Sequence, residues 1–330
     1  MKKKVARVFL ITLILVSVLA GAVAAAAYEV SLGHGTAADS LYQYGAEQFK
    51  KVVEERTDGD IIVNIYPGGQ IGHDRDLTEG IQLGIIEMGL IGTEPLTTFS
   101  PKMAVINLPF IFRNREVAYA ILDGEIGNEI IAPLEKQGII NLAWMENGFR
   151  NITNSVRAID SPADLKGLKI RTPNSPVSLA IFKALQANPT PMNFGEVYTA
   201  LQQGTIDGQE NPLALIYSSK FYEVNKHISL TGHIYSPCVL LISKQFFASL
   251  PADYQEIVKK AAIVARDRQR AESMRREQSY VDRLKAAGAV INENPQLDLF
   301  IEATSNVWRE FADQFGEEIY LKIKSFEPDS

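Results

Sequence analysis

The sequence predicts an α/β protein with two lobes, each built on a mixed, mainly parallel sheet flanked by helices. Short segments rich in branched apolar residues alternate with helical patterns, which is typical of a parallel sheet covered by helices. The chain has 330 residues, and about 300 remain after an N-terminal apolar segment, which suggests two domains or one large one. One helical pattern, from Ala252 to about Ala287, is longer than a small domain is wide.

Strands and helices alternate from Tyr28 onwards. Asp39 or Ser40 caps the first helix and Asp58-Gly59 ends it, while a Pro-Gly-Gly turn stops the second strand. The predicted strands are Tyr28–Leu32, Ile61–Tyr66, Met88–Ile91 and Ile139–Trp144, and the later helices are Leu77–Leu83, Val117–Leu122 and Ile126–Gln137.

A second alternating set follows. Ser161-Pro162 opens a short helix, with serine at the cap and proline in the first turn. Gly204 ends a later helix as its C-terminal cap. The set comprises strands at Leu168–Arg171 and Thr205–Gly208 and helices at Pro176–Gln186 and Gly195–Gln203.

The longest helix begins after Pro251 and ends at Gly288. At about 1.5 Å per residue it extends about 50 Å. Its middle, RDRQRAESMRREQS, is strongly polar, and charge runs of this kind are usually a solvated face. A helix whose ends are packed and whose middle is polar is expected to bridge two lobes. The alternative is that the polar middle forms a dimer contact.

The first 27 residues have the pattern of a cleavable secretory signal peptide. Four basic residues precede an apolar run from Val8 to Ala20, and small residues follow up to Ala27, so cleavage is expected before Tyr28. The alternative is an N-terminal membrane anchor. No cysteine follows the run, which argues against a lipoprotein.

Charge and cysteine content exclude several classes of protein. Removing the signal lowers Lys+Arg from 33 to 29 against 39 Asp+Glu, so the formal charge moves from −6 to −10. Such an acidic chain is a poor binder of nucleic acid or anionic membranes. Cys238 is the only cysteine, in an apolar strand-like run, so a buried inert thiol is expected and intrachain disulfides are excluded.

Catalytic and metal motifs do not occur in the sequence. There is no Gly-x-Ser-x-Gly elbow, Walker loop or His-Glu-x-x-His, and the four histidines have no zinc-ligand spacing. We therefore predict no metal and no cofactor. Asp207 and Glu210 could form a hydrolase carboxylate pair, although a turn residue and a strand-end polar group are the simpler interpretation.

Polar residues follow the predicted strand ends. Arg150 lies in Asn147-Gly148-Phe149-Arg150 after one strand, Arg171 ends the next, and Asn211 follows a third. Ligands of open α/β sheets bind beyond the carboxyl ends of strands, and an arginine fork binds a carboxylate with two hydrogen bonds. These residues predict a local anion site, with surface salt bridges as the alternative. Phe194 could supply an apolar wall or belong to the core.

The same residues resemble a known family. The run KGLKIRTPNSP…ANPTPMNFGEVYTALQQGTIDGQENPLA…KFYEV is similar to the solute-binding proteins of tripartite ATP-independent periplasmic (TRAP) transporters. FKKVVEERTDGDIIVNIYPGGQIGHDRDL, NLPFIF and NGFRNITNS extend the resemblance through the mature chain. It implies a two-lobe periplasmic binding fold that closes on its ligand around a hinge, and a role in transport rather than catalysis.

The resemblance also implies site roles. Arg171, in the KxR-T/V-P motif, grips the ligand carboxylate and Arg150 assists it. Asn211 adds a hydrogen bond, Phe194 lines the pocket, and Asn174 is a further candidate contact.

The first lobe is expected to select the acid. The sialic-acid branch of the family has an asparagine and a glutamate in its first-lobe loops, and this chain has Gly35 and Gly92 there. His34, Asp74 and Glu94 lie in the same loops and can hydrogen bond to hydroxyl groups. A uronate or aldonate therefore fits better than sialic acid or succinate.

Discontinuous lobes follow from the resemblance, with 28–148 plus about 236–276 in lobe I and 149–235 plus about 277–330 in lobe II. The protein is expected in the periplasm, delivering its ligand to the small and large TRAP membrane subunits. The alternatives are a C4-dicarboxylate, sialic acid or keto or aromatic acid as ligand, an exported enzyme acting through Asp207 and Glu210, or a ligand sensor for a receptor kinase.

Overall fold

The computed structural model describes residues 26–327. The predicted signal peptide lies almost wholly outside these residues. Within them, no helix combines the length and apolar character needed to span a bilayer.

A nine-stranded sheet forms the centre of the molecule, in the order β2-β1-β3-β8-β4-β7-β5-β6, with β9 beside β8. The strands are β1 (Tyr28–Gly33), β2 (Ile61–Tyr66), β3 (Met88–Gly92), β4 (Ile139–Asn154), β5 (Lys169–Thr172), β6 (Asn188–Pro191), β7 (Gly208–Pro212), β8 (His227–Ser243) and β9 (Val290–Asn292).

Helices cover the sheet, joined by 3₁₀ turns. They are α1 (Leu41–Arg56), α2 (Asp74–Leu83), α3 (Thr93–Leu96), α4 (Arg115–Asp123), α5 (Glu125–Ile131), α6 (Pro176–Ala184), α7 (Val197–Gln202), α8 (Leu213–Ser218), α9 (Phe221–Val224), α10 (Lys244–Ser249), α11 (Ala252–Ala286), α12 (Leu297–Thr304), α13 (Ala312–Phe315) and α14 (Glu317–Lys324). The predicted cap of α1 is confirmed, because the Ser40 side chain accepts a hydrogen bond from the Gln43 amide.

The sheet has two halves. Strands β2, β1 and β3 form the first half and are mutually parallel. Strands β6, β5 and β7 form the second half and are also parallel. The long strands β4 and β8 run antiparallel to each other and belong to both halves. β4 is also antiparallel to β7 and β8 to β3, whereas β9 pairs with β8 in parallel. The predicted mixed, mainly parallel α/β fold is confirmed.

The crossing strands are longer than the sequence predicted. β4 was expected to end at Trp144, but it continues through an irregularity near Gly148, whose φ of 119° favours glycine, to Asn154. Arg150 therefore lies within a strand, opposite Pro212 of β7. Buried polar residues interrupt the apolar alternation, which is why the sequence pattern stopped early.

Two further boundaries differ from the prediction. β7 begins at Gly208 rather than Thr205, so Asn211 lies inside the strand instead of after it. β8 extends well beyond the apolar run around Cys238, which is buried as expected. The lobe limits predicted at residues 148 and 236 fall inside β4 and β8 and stay a prediction.

Helix α11 bridges the two halves, as predicted. Ala261 and Ala265 pack in the core of the first half, and Tyr280 and Leu284 pack in a cluster with helices of the second half. The prediction that the polar middle is a solvated face was wrong for one side of the helix.

Buried hydrogen bonds hold that side of α11. Gln269 accepts from the Glu146 amide at 3.0 Å and donates to its carbonyl at 2.6 Å. Arg270 binds the Asp123 carboxylate with two hydrogen bonds, at 2.6 and 2.9 Å. These partners make burial of polar side chains tolerable. The Gln269 bonds fix the helix to β4 where that strand passes between the halves, and the Arg270 bonds fix it to α4.

Candidate ligand-binding site

A cleft lies between the two halves, at the carboxyl ends of β1, β3, β5 and β6. Its empty space is about 810 Å³, counting space open to solvent. Seven of the eight predicted ligand contacts line it: Arg171, Arg150, Asn211, Phe194, Asn174, Asp74 and Glu94.

Arg171 is the unpaired cation of the cleft. Its side chain is buried at the end of β5, and its Nε and Nη2 atoms donate to the Met192 carbonyl at 3.0 and 2.6 Å. No salt bridge to it occurs within residues 26–327. Burial, and next the positive charge of Arg150, lowers the pKa of Arg171 to about 10, so it remains charged at neutral pH. A buried charge without a counterion is costly, which favours an anionic ligand.

Arg150 has a different environment, because two buried glutamates neutralise it. Its Nε and Nη2 atoms donate to the Glu210 carboxylate at 2.5 and 2.7 Å, and Nη1 donates to Glu94 at 3.0 Å. Burial alone would lower the pKa of Arg150, but the two carboxylates raise it overall. The surface salt bridge considered for this residue is instead a buried network.

Glu210 is the centre of that network. Burial opposes its charge, yet Arg150 and the nearby His233, whose Nε2 lies 3.3 Å from Glu210 Oε2, outweigh burial and lower the pKa of Glu210 to about 2. Asp207 uses its side chain to accept from the Lys169 amide at 2.8 Å. Neither carboxylate lines the cleft, so the geometry does not support a hydrolase pair.

The other predicted residues of the second half form a polar and aromatic wall. The Asn211 amide donates to Gln209 at 2.5 Å, and the exposed Asn174 donates to Asn193 at 2.8 Å. Phe194 lies edge-on to a core phenylalanine and 6.0 Å from the Arg171 guanidinium carbon. We call Arg171, Asn211, Asn174 and Phe194 the second-half wall.

Asp74 and Glu94 give the first half an acidic wall, called the first-half wall below. Asp74 begins α2, and burial, followed by the charge of Glu94, raises the pKa of Asp74 to about 7. Glu94 is buried and accepts from Ser236 at 2.6 Å as well as from Arg150. Of these two carboxylates, only that of Asp74 has no side-chain hydrogen-bond partner among the described residues.

Gly35 and Gly92, the two glycines predicted to set this chain apart from the sialic-acid branch, lie near Asp74. A Cβ atom on Gly35 would lie 3.9 Å from Asp74 Oδ1, and one on Gly92 would lie 3.5 Å from Oδ2 and 3.6 Å from the Tyr42 hydroxyl. The absent side chains leave room for Asp74 to face the cleft.

His34 does not line the cleft, so the structure gives no support to its predicted ligand contact. Its side chain is fully buried, with Nε2 at 2.9 Å from Gln43 Oε1 and Nδ1 at 3.0 Å from Thr36 Oγ1. Burial lowers the pKa of His34. Both nitrogens are occupied within the first half, and the adjacent Gly35 and Thr36 line the cleft instead.

Several lining residues were not predicted as contacts. They are Thr36, Tyr42, His73, Arg75, Pro95, Thr98, Asn147, Pro173, Met192, Asn193 and Leu215. The sequence offered a signal for Asn147, which lies in the NGFR motif, and for Met192, which precedes Phe194. Tyr42 gave none, because it looks like any aromatic residue of an amphipathic helix. Among the described residues, no group of acidic, histidine or cysteine side chains could hold a metal ion.

The chain is similar to a known protein family and to several known proteins over most of its length. The family model of bacterial extracellular solute-binding proteins, family 7, matches residues 32–314. The 2,3-diketo-L-gulonate-binding periplasmic protein of Escherichia coli is 38% identical over 285 residues, 86% of this chain and 87% of that protein.

Solved structures show the same fold. A TRAP periplasmic solute-binding protein of Polaromonas, bound to D-erythronate, has a TM-score of 0.89 and 37% identity, covering 92% of this chain and all of that one. A sugar acid binding protein of Advenella mimigardefordensis in complex with galactonate has a TM-score of 0.87 and 34% identity, covering 90% and 96%.

Proposed function

The chain belongs to the bacterial extracellular solute-binding proteins, family 7, and on that premise we propose that it captures a sugar acid, a uronate or an aldonate, by its carboxylate. Members of this family bind substrates for transport and are not enzymes. The alternative of an exported hydrolase or lyase is therefore wrong.

The observation that carries the proposal is the buried, unpaired guanidinium of Arg171. A ligand carboxylate placed there gains charge-assisted hydrogen bonds in a site with little water, each worth about 1.5–3 kcal/mol. Arg150 contributes less in this proposal, since Glu94 and Glu210 already neutralise its charge. Asn211 and Phe194 supply a hydrogen bond and an apolar face.

The first-half wall supports a ligand with hydroxyl groups at its other end. The Asp74 carboxyl can accept a hydrogen bond from a hydroxyl when ionised and donate one when protonated. A second carboxylate there would face Asp74 and Glu94, and like charges in a buried site repel strongly. This favours a polyhydroxylated monocarboxylate over a C4-dicarboxylate such as succinate.

Transport is the role we propose for the bound acid. The family and the TRAP assignment of the Polaromonas protein support delivery to the small and large membrane subunits of a TRAP transporter. The basic, apolar and small-residue segments of Met1 to Ala27 support export to the periplasm.

A ligand panel tests the proposal. We expect D-galactonate, D-erythronate, D-galacturonate and 2,3-diketo-L-gulonate to include ligands that raise the melting temperature, because a ligand at 100 times its Kd adds about 2.7 kcal/mol of stability. Succinate and sialic acid serve as the contrast, and calorimetry gives each Kd. Equal or tighter binding of succinate would overturn the sugar-acid proposal, and unchanged binding by Arg171→Gln would overturn the clamp.

A further inference from the structure

At the rim of the cleft, a side chain of the first half packs on a glycine of the second half, which has no side chain of its own. His73 precedes α2 in the first half, and Gly195 lies in the Phe194–Glu196 turn of the second half. A Cβ atom on Gly195 would lie only 2.5 Å from Cε1 and Nε2 of His73. Real Cβ atoms do not approach other atoms this closely, so the ring packs directly on the bare backbone of Gly195.

The ring has no room to retreat on its own side. Cβ atoms on Gly69 and Gly35 would lie 2.5 Å from Cε1 and 3.2 Å from Nδ1 of His73. The imidazole therefore fills the space between the backbones of three glycines. Two of these belong to the first half of the molecule and the third to the second half.

Backbone conformation does not explain the glycine at 195. Gly69 has a φ of 77°, which favours glycine, whereas Gly195 is not among the residues with positive φ. An alanine could adopt the same backbone, so what Gly195 provides here is close approach.

Nδ1 of His73 is buried and incompletely satisfied. The Asp76 amide approaches the His73 side chain in the capping box of α2, but no described residue makes a well-formed hydrogen bond to Nδ1, although buried polar atoms are normally satisfied. The ring lines the cleft together with Gly35 and Asp74. A ligand hydroxyl is the kind of group that can satisfy it.

We propose that His73 and Gly195 form the contact that closes the cleft, with the ring covering a single sugar-acid ligand and accepting or donating a hydrogen bond to one of its hydroxyls. The proposal rests on the sugar-acid function above. It adds a size limit, because a second sugar unit that extended past this part of the rim would collide with the ring. Glycine at 195 is then a requirement for closure rather than a feature of the turn.

A double-mutant cycle tests the contact. Gly195→Ala should weaken the binding of D-galactonate, or of the best ligand of the panel, about tenfold or more, because overpacking a close contact carries a cost of that size. In the His73→Ala background the added methyl group meets no ring, so the same substitution should have little further effect. Thr199→Ala, an exposed position in the nearby α7, is the matched control and should bind like the wild type.

Two further measurements separate closure from folding. Thermal unfolding of the ligand-free Gly195→Ala protein should match that of the wild type, because the proposed contact belongs to the closed, ligand-bound form and Gly195 is otherwise exposed. Small-angle scattering with saturating ligand should show a less compact Gly195→Ala protein. Wild-type affinity in Gly195→Ala, or an equal penalty with and without the His73 ring, would overturn the closing contact alone. Failure of the wild type to bind any acid of the panel would overturn the proposed function and the closing contact with it.

Discussion

The second-half wall and the first-half wall of the cleft differ in charge and in what already neutralises that charge. Within residues 26–327, Arg171 hydrogen bonds only to a backbone carbonyl, whereas Glu94 of the opposite wall already binds Arg150 and Ser236. Arg150 lines the same cleft, but its charge is balanced inside the protein. Two buried arginines in one cleft can thus have separate tasks, one directed at the ligand and one at the structure.

The largest effect is expected from Glu210→Gln, which leaves Arg150 partly unpaired in the interior. Removing one partner of a buried ion pair typically costs about 3–5 kcal/mol. Urea unfolding at neutral pH measures the loss, with the exposed Glu196→Gln as the control. An unchanged free energy of unfolding would show that Arg150 does not have the structural task assigned to it.

The same variant has a pH signature. The pKa of Glu210 is lowered from 4.5 to about 2 in the folded protein. Its contribution to the free energy of unfolding is therefore fully present above the unfolded pKa and is lost as the pH falls through the folded pKa. The difference in stability between wild type and Glu210→Gln should shrink between about pH 4.5 and pH 2.

Arg171→Lys should weaken ligand binding by about 100-fold while the protein stays folded. Lysine keeps the charge but cannot present two parallel donors to a carboxylate, and the lost charge-assisted hydrogen bond is worth about 1.5–3 kcal/mol. Calorimetry with the best sugar acid measures the change, and Lys169→Ala, exposed on the same strand, is the control. Near-normal binding by Arg171→Lys would contradict the proposal that Arg171 binds the ligand while Arg150 has a structural role.

Phe194→Ala should have a smaller effect on affinity, about tenfold, because a half-buried aromatic ring contributes roughly 1–2 kcal/mol of apolar contact. The ring packs on the core residue Phe221 as well as facing the cleft. Comparing the loss of affinity with the loss of thermal stability separates these two contacts. A change in stability alone would assign Phe194 to the core.

The smallest effect concerns the first-half wall and depends on pH. The pKa of Asp74 is raised from 3.8 to about 7, so the folded protein holds a proton that the unfolded chain releases, and stability falls as the pH rises through this window. Asp74→Asn should remove that slope, seen as a smaller drop in melting temperature between pH 5 and pH 8. The side chain is half-buried and solvent screens part of the effect. A parallel slope in both proteins would contradict the raised pKa.

The second-half wall was more accessible to sequence reasoning than the first. Arg171 lies in a short motif at the end of a parallel strand, where ligand sites are expected. The ion pair between Arg150 and Glu210 was not predicted, because β7 was placed a few residues too early and the register that brings these residues together was missing.

The residues of the first-half wall come from loops. In loops, unlike in helices and strands, the direction of a side chain does not follow a regular period that could be seen in the sequence. His34 and Asp74 looked equivalent as polar loop residues, but hydrogen bonds to Gln43 and Thr36 turn His34 inward. The short distance between His73 and Gly195 depends on how the two halves meet, so it could not be predicted from the sequence around either residue.

The shared strands β4 and β8 have a consequence for the order of folding. Met88–Gly92 of β3 pairs with Cys238–Ile242 of β8, and β8 in turn pairs with β4. These partners are far apart in the chain, which gives a high contact order and slows folding. The first half lacks its neighbouring strand until residues 227–243 have joined the sheet. We therefore expect the two halves to form in one cooperative step, rather than as two domains that dock after each has folded.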